Sequence, residues 1–205
     1  MRAINKSVVA ALPILLAGCA NYVPLVYEPS IPPSAQASAV PTIWLGSFDD
    51  RRKDTRSNEI GANRSFFGNP AYVVVVNEPV QDFVRNAVAS GLQVRGMMSN
   101  RPDAPLTLTG QVYRLECNQY LRPEAHAEIR ITLTDTASRT IIWARTVQRD
   151  LFADYTFGSD SVVDLRDLTN RVLQQTVDGG LDSPELAQAV FQVSAAPRLT
   201  GSSAR

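Results

Sequence analysis

The sequence predicts an α+β fold, a two-layer sandwich in which a mostly antiparallel sheet of about five strands carries two to three helices on one face. Three observations predict it. Residues 127–134 alternate strictly, with Ala127, Ile129, Ile131 and Leu133 on one side and Glu128, Arg130, Thr132 and Thr134 on the other. That is the period of a strand with one buried face. Val80, Phe83, Val84, Ala87, Val88 and Leu92 recur at helical spacing and form a single apolar stripe. The elements run strand, strand, helix, three strands, two helices, and the turns between the later strands are short enough for hairpins. Antiparallel pairing with helices packed on one face follows from that order.

Thr42 to Phe48 reads as the first strand, with Ile43, Leu45 and Ser47 facing one way and Trp44 the other. Asp49 to Asn69 is charged and rich in Gly and Asn, and reads as a long loop. Ala71 to Val76 is continuously apolar and β-branched, as in a strand covered on both faces. Pro79 opens a helix that Gly96 ends. Gly91, inside that helix, predicts close packing against a neighbour. In the next strand Leu106, Leu108, Gly110 and Val112 share one face, and Tyr113, Leu115 and Cys117 take the opposite parity. A bulge or bend is expected between Gly110 and Tyr113. After the strand through Leu133, Ile141 to Gln148 reads as the last, carrying Trp143. Ser161 to Asp164 fits a capping box, and Leu165, Leu168, Val172 and Leu173 form the stripe of a helix that Gly179-Gly180 is expected to break. Ser183-Pro184 opens a final helix through about Val193.

Outside this domain, assigned to residues 42–195, the chain changes character. Residues 1–18 begin with Arg2 and Lys6, continue through an apolar run from Val8 to Leu16, and end in small residues. This is the layout of a secretory signal, and it is too short to span a bilayer, which takes about 20 apolar residues. Leu16-Ala17-Gly18-Cys19 closes it. That motif resembles the lipobox of bacterial lipoprotein precursors. The resemblance implies cleavage between Gly18 and Cys19, a diacylglycerol on the Cys19 sulfur and an acyl chain on the new amine. Two or more chains hold a protein firmly, whereas one holds it marginally. The position after the cysteine is Ala20, not the aspartate associated with inner-membrane retention, so the resemblance implies an outer-membrane anchor with the domain on the periplasmic face. Residues 19–41 contain five prolines and read as an extended tether with a reach of roughly 60 Å at about 3.1 Å per residue. Residues 196–205 read as a flexible tail.

Lys and Arg together number 20, as do Asp and Glu. Loss of the leader, with Arg2 and Lys6, leaves a slightly acidic chain without a field for nucleic acid. No catalytic constellation stands out. His126 is the only histidine, which excludes a His-rich metal site and leaves too few ligands for zinc. It could serve Cys117 as a base only if the two faced each other on successive strands; otherwise it is an ordinary imidazole at the edge of a hairpin. With Cys19 lipidated, Cys117 has no internal disulfide partner and is expected to be a buried thiol, with a reactive thiol or an intermolecular bridge as alternatives. Asp49-Asp50-Arg51-Arg52 reads as a solvated strand end, with Asp49 available to pair with Arg51 or Arg52. Two aromatic groups, Phe66-Phe67 and Phe152, Tyr155 and Phe157, lie in connections. They either plug the ends of the sandwich or contact a partner.

The first strand running into Asp49-Asp50-Arg51-Arg52, the Ile60-Gly61 pair, Arg95-Gly96-Met97-Met98, the strand through Tyr113 and Leu115, and the helix from Ser161 also resemble the YajG-type lipoproteins of Gram-negative bacteria. That resemblance implies a small anchored α+β domain with no assigned activity. The expectation is a non-enzymatic, outer-membrane-anchored module without cofactors, acting through contact with an envelope protein. The alternative is an auxiliary lipoprotein of an envelope lipid or solute (ABC-type) transport system, which calls for an apolar groove between helix and sheet.

Overall fold

The computed structural model describes residues 21–22, 25–30, 43–53, 56–64, 70–119, 122–154 and 161–195. Its elements are β1 (Asn21–Tyr22), β2 (Ile43–Asp50), β3 (Glu59–Arg64), β4 (Pro70–Val75), α1 (Val80–Val94), β5 (Leu106–Gln119), β6 (Pro123–Asp135), β7 (Ile141–Phe152), α2 (Ser161–Leu181) and α3 (Pro184–Ala195). The α+β two-layer architecture is the expected one. The sheet runs β1-β4-β3-β5-β6-β7, and β2 joins β5 off that path. The long ladders β5–β6 and β6–β7 are antiparallel. Shorter parallel pairings bring β2 and β3 to β5 and β1 to β4.

The interior is built from the stripes the sequence announces. Ala127, Ile129, Ile131 and Leu133 of β6 are buried, as are Val80, Phe83, Val84, Ala87, Val88 and Leu92 of α1 and Leu165, Leu168, Val172 and Leu173 of α2. Burying each of the Val, Leu, Ile and Phe side chains among them contributes about 1.5–3 kcal/mol. The expected phase change in β5 is a register shift between Val112 and Arg114. Tyr113 is the exposed residue at that irregularity, so only Leu115 and Cys117 resume the inward face. Gly96 ends α1 at φ 65°, a left-handed conformation that glycine takes without strain. The close approach expected at Gly91 is real: an added Cβ would lie 2.6 Å from Leu181 Cδ1 and 2.9 Å from the Tyr27 hydroxyl.

Five expectations need correction. The presumed loop 49–69 contains β3, a strand of low β propensity whose Ile60 and Ala62 are buried. Its Gly61 lies against the Cys117 carbonyl, where any Cβ would clash. In β2 the register slips between Leu45 and Phe48, so Phe48 rather than Ser47 turns inward, and its ring fills the space left by Gly110. β7 continues past Gln148 to Phe152. Gly179-Gly180 does not break α2, which runs to Leu181; a Cβ on Gly180 would sit 2.8 Å from Ile131 Cδ1, so that residue allows helix and sheet to close up. Finally, part of the presumed tether packs on the domain, as described below. The capping side chain of Ser161 lies outside the described residues, whereas Ser183 caps α3 by accepting the Leu186 amide at 3.2 Å.

Candidate functional site

Two polar assemblies stand outside the core. The first lies on the sheet face opposite the helices. Alternation in β6 and, past the bulge, in β5, continued in β7, sends Arg114, Glu116, Glu124, His126, Gln148 and Asp150 to that face, and the register sets His126 opposite both Glu116 and Asp150. His126 Nδ1 bonds Asp150 Oδ1 at 2.5 Å, and Arg114 reaches the same carboxylate at 3.3 Å. His126 is therefore a buried, partnered side chain, 7% exposed. Its hydrogen bond, helped by Gln148 and the Arg114 charge, holds the Asp150 carboxyl below the usual carboxylate range. Phe152, 48% exposed, meets the His126 ring edge-on at 5.7 Å between centroids. Arg122 lies 4.1 Å over the same phenyl ring, within the range of a cation–π contact. The result is an ordered cluster of aromatic and charged groups at one end of an open face.

The second assembly lies on the helix side. Residues 25–30 cross α1 and α2 as a strap. The Val26 amide donates to Asn170 Oδ1 at 3.0 Å. Tyr27 donates its hydroxyl to Asp178 at 2.8 Å, and Ser30 donates both its amide, at 3.0 Å, and its hydroxyl, at 2.7 Å, to the same carboxylate. Arg95, at the end of α1, bridges Asp178 at 2.9 Å and Asp182 at 2.8 Å. Burial works against the charged form of Asp178, but the donors from Ser30, Tyr27 and Arg95 outweigh it and lower its pKa. Burial, together with the Asp178 charge, raises that of Tyr27. Between the strap and α2 lies an open cleft of about 740 Å³, with Val26, Glu28, Asp164, Asn170 and Arg171 among its lining. Most of its lining side chains are charged or amide groups.

The sequence-predicted candidates separate on this frame. Cys117 and His126 lie on adjacent strands but opposite faces, Cys117 inward and His126 outward, so they form no dyad. Burial pushes the Cys117 thiol up to about 12, in keeping with an inert buried cysteine. Arg52, placed by the sequence at a solvated strand end, is buried. It pairs with Asp50 at 2.8 Å and donates to the carbonyls of Glu59, at 2.6 Å, and Leu115, at 3.3 Å, tying β2 to β3 and β5. Asp49 pairs with Arg51 in solvent. Of the five aromatic contact candidates the structure places only Phe152; Phe66, Phe67, Tyr155 and Phe157 lie outside the described residues, as do Gly18 and Cys19. The pairings of Arg114, Arg122 and Asp150 on the open face, and of Tyr27 with Asp178 and Arg95 on the helix side, are not legible in the sequence because strand register and contacts across the whole chain set them. Among the described residues no group of His, Cys, Asp and Glu could hold a metal, and no helix is long and apolar enough to cross a membrane.

No protein-family model matches the chain, and no curated protein is significantly similar to it in sequence. Solved structures share its fold. A Xanthomonas campestris protein of the family model DUF330 superposes with a TM-score of 0.65 at 14% identity, covering 86% of this chain and all of that one. Weaker likenesses are PelC from Paraburkholderia phytofirmans, a dodecamer (TM-score 0.43, 10% identity, 67% and 86% coverage), and lipoprotein GNA1162 from Neisseria meningitidis (TM-score 0.32, 11% identity, 69% and 98% coverage). At 14% identity the likeness to the Xanthomonas protein establishes the fold alone.

Proposed function

We propose that this protein is an outer-membrane lipoprotein, anchored by acyl chains on Cys19, whose periplasmic domain is a non-catalytic module that works by protein contact. The observation that carries the reading is the leader closed by Leu16-Ala17-Gly18-Cys19, which makes Cys19 the site of cleavage and lipid attachment. The YajG-type resemblance supports the same reading. The open sheet face supplies the contact surface: Phe152 is half exposed and held between His126 and Arg122, so a partner meets a preorganised aromatic group instead of paying to order it. An auxiliary role beside an envelope lipid or solute transporter is the second reading that the same anchored module supports.

Metabolic labelling with an alkyne fatty acid tests the anchor. The native protein is expected to carry label and to sediment with outer membranes, while Cys19→Ser is unlabelled and soluble. A native protein without label would end the proposal.

A further inference from the structure

The lipid-linked end of the chain is expected, as a proline-rich tether, to hold the domain well away from the membrane. Residues 21–22 and 25–30 of that segment instead pack on the domain. Asn21 and Tyr22 add a strand to β4, in parallel register with Val74 and Val75, and so cover an edge that would otherwise offer unpaired backbone groups. Three residues later the strap begins. Val26, Tyr27 and Ser30 are bonded to Asn170 and Asp178, so the chain is held on both sides of residues 23–24.

Only Ala20 lies between Cys19 and Asn21, and two steps of a fully extended chain, at most about 3.6 Å each, span roughly 7 Å in all. The polar headgroup layer on one side of a bilayer is itself about 5–7 Å deep. An acylated Cys19 therefore leaves no slack between the lipid and the β1–β4 edge. On that edge Tyr72 stands two positions before Val74, on the side from which the chain arrives, and is 40% exposed. Tyrosine is a side chain that settles at the membrane–water interface.

We infer that the β1–β4 edge of the domain rests directly on the phospholipid headgroups, with Tyr72 against them and the β7 edge held away. The domain is clamped in one orientation and does not swing on a stalk. This inference rests on the proposed acylation of Cys19, and the following experiment separates the two. Full-length lipidated protein carrying Tyr72→Cys or Ile141→Cys is labelled with a fluorophore; Cys19 is blocked by lipid and Cys117 is buried. Each sample is reconstituted into phosphatidylethanolamine–phosphatidylglycerol vesicles containing a headgroup nitroxide lipid. The Tyr72 label is expected to be quenched at least twofold more than the Ile141 label. Ten Gly/Ser residues inserted between Ala20 and Asn21 should erase the difference. Equal quenching of the two labels in a protein that floats with the vesicles, or a difference that survives the insertion, would overturn the clamped orientation while leaving the anchor intact. A protein that carries no lipid mass and does not float would overturn both.

Discussion

The helix–sheet core and the strap are both held in place, but by unlike means. The core closes through many interchangeable apolar contacts, so that Ile129, Ile131, Leu133, Val172 and Val177 share the burial. The strap hangs largely on one acceptor, Asp178, which takes bonds from Tyr27, from the amide and hydroxyl of Ser30, and from Arg95. Apolar burial is distributed and hard to undo at one point. A carboxylate latch is concentrated, directional and sensitive to charge. The difference makes the core the permanent part of the molecule and the strap the part that a single change can release.

That contrast can be broken from either side. Ile131→Ala, which opens a cavity under Gly180, is expected to cost about 2–5 kcal/mol by denaturant unfolding and to loosen the whole domain. Asp178→Asn should cost less, about 1.5–3 kcal/mol, the usual contribution of bonds to a charged group. Its signature is local: proteolysis within residues 25–30 with little change in the near-UV spectrum of the domain. A loss as large and as global as that of Ile131→Ala would mean that the strap belongs to the core. The pH dependence has a definite sign. The pKa of Asp178 is lower folded than unfolded, so its contribution is fully present above the unfolded value of about 3.9 and is lost as the pH falls through the lower folded value. Acid should therefore free the strap only below the ordinary carboxylate range, and protease susceptibility of residues 25–30 measured from pH 7 to pH 3 checks it. Tyr27→Phe removes one donor and should cost about 1 kcal/mol. Arg130→Ala, on the exposed sheet face, should change stability by no more than about 0.5 kcal/mol.

What the sequence revealed follows the same division. α1 and β6 were readable residue by residue because one buried face imposes a period of 3.6 or 2, and the bulge in β5 showed as a change of phase. β3 was not readable: Glu59-Ile60-Gly61-Ala62-Asn63-Arg64 has one large apolar residue, and Gly61 is needed for its approach to Cys117. The strap escapes the sequence for a related reason. Proline-rich composition reports extended backbone correctly, but it does not say whether that backbone stands free or lies on a surface. The deciding partners are Asp178 and Asn170, more than 140 residues away. The cluster around His126 likewise needs strand register, which pairs it with Asp150 across 24 residues. Glycines misled where packing governs them: Gly179-Gly180 looks like a terminator and is instead a place where a helix closes on a sheet.

Hydrogen exchange on the full-length protein at pH 7 tests most directly whether the segment behind Cys19 belongs to the folded domain. The amides of Val26 and Ser30, bonded to Asn170 and Asp178, should exchange at least tenfold more slowly than in a free peptide. In Asp178→Asn they should approach the free rate while Ile129 and Ile131 stay protected. Free-peptide rates at Val26 and Ser30 in the native protein would contradict the docked strap and restore the loose tether.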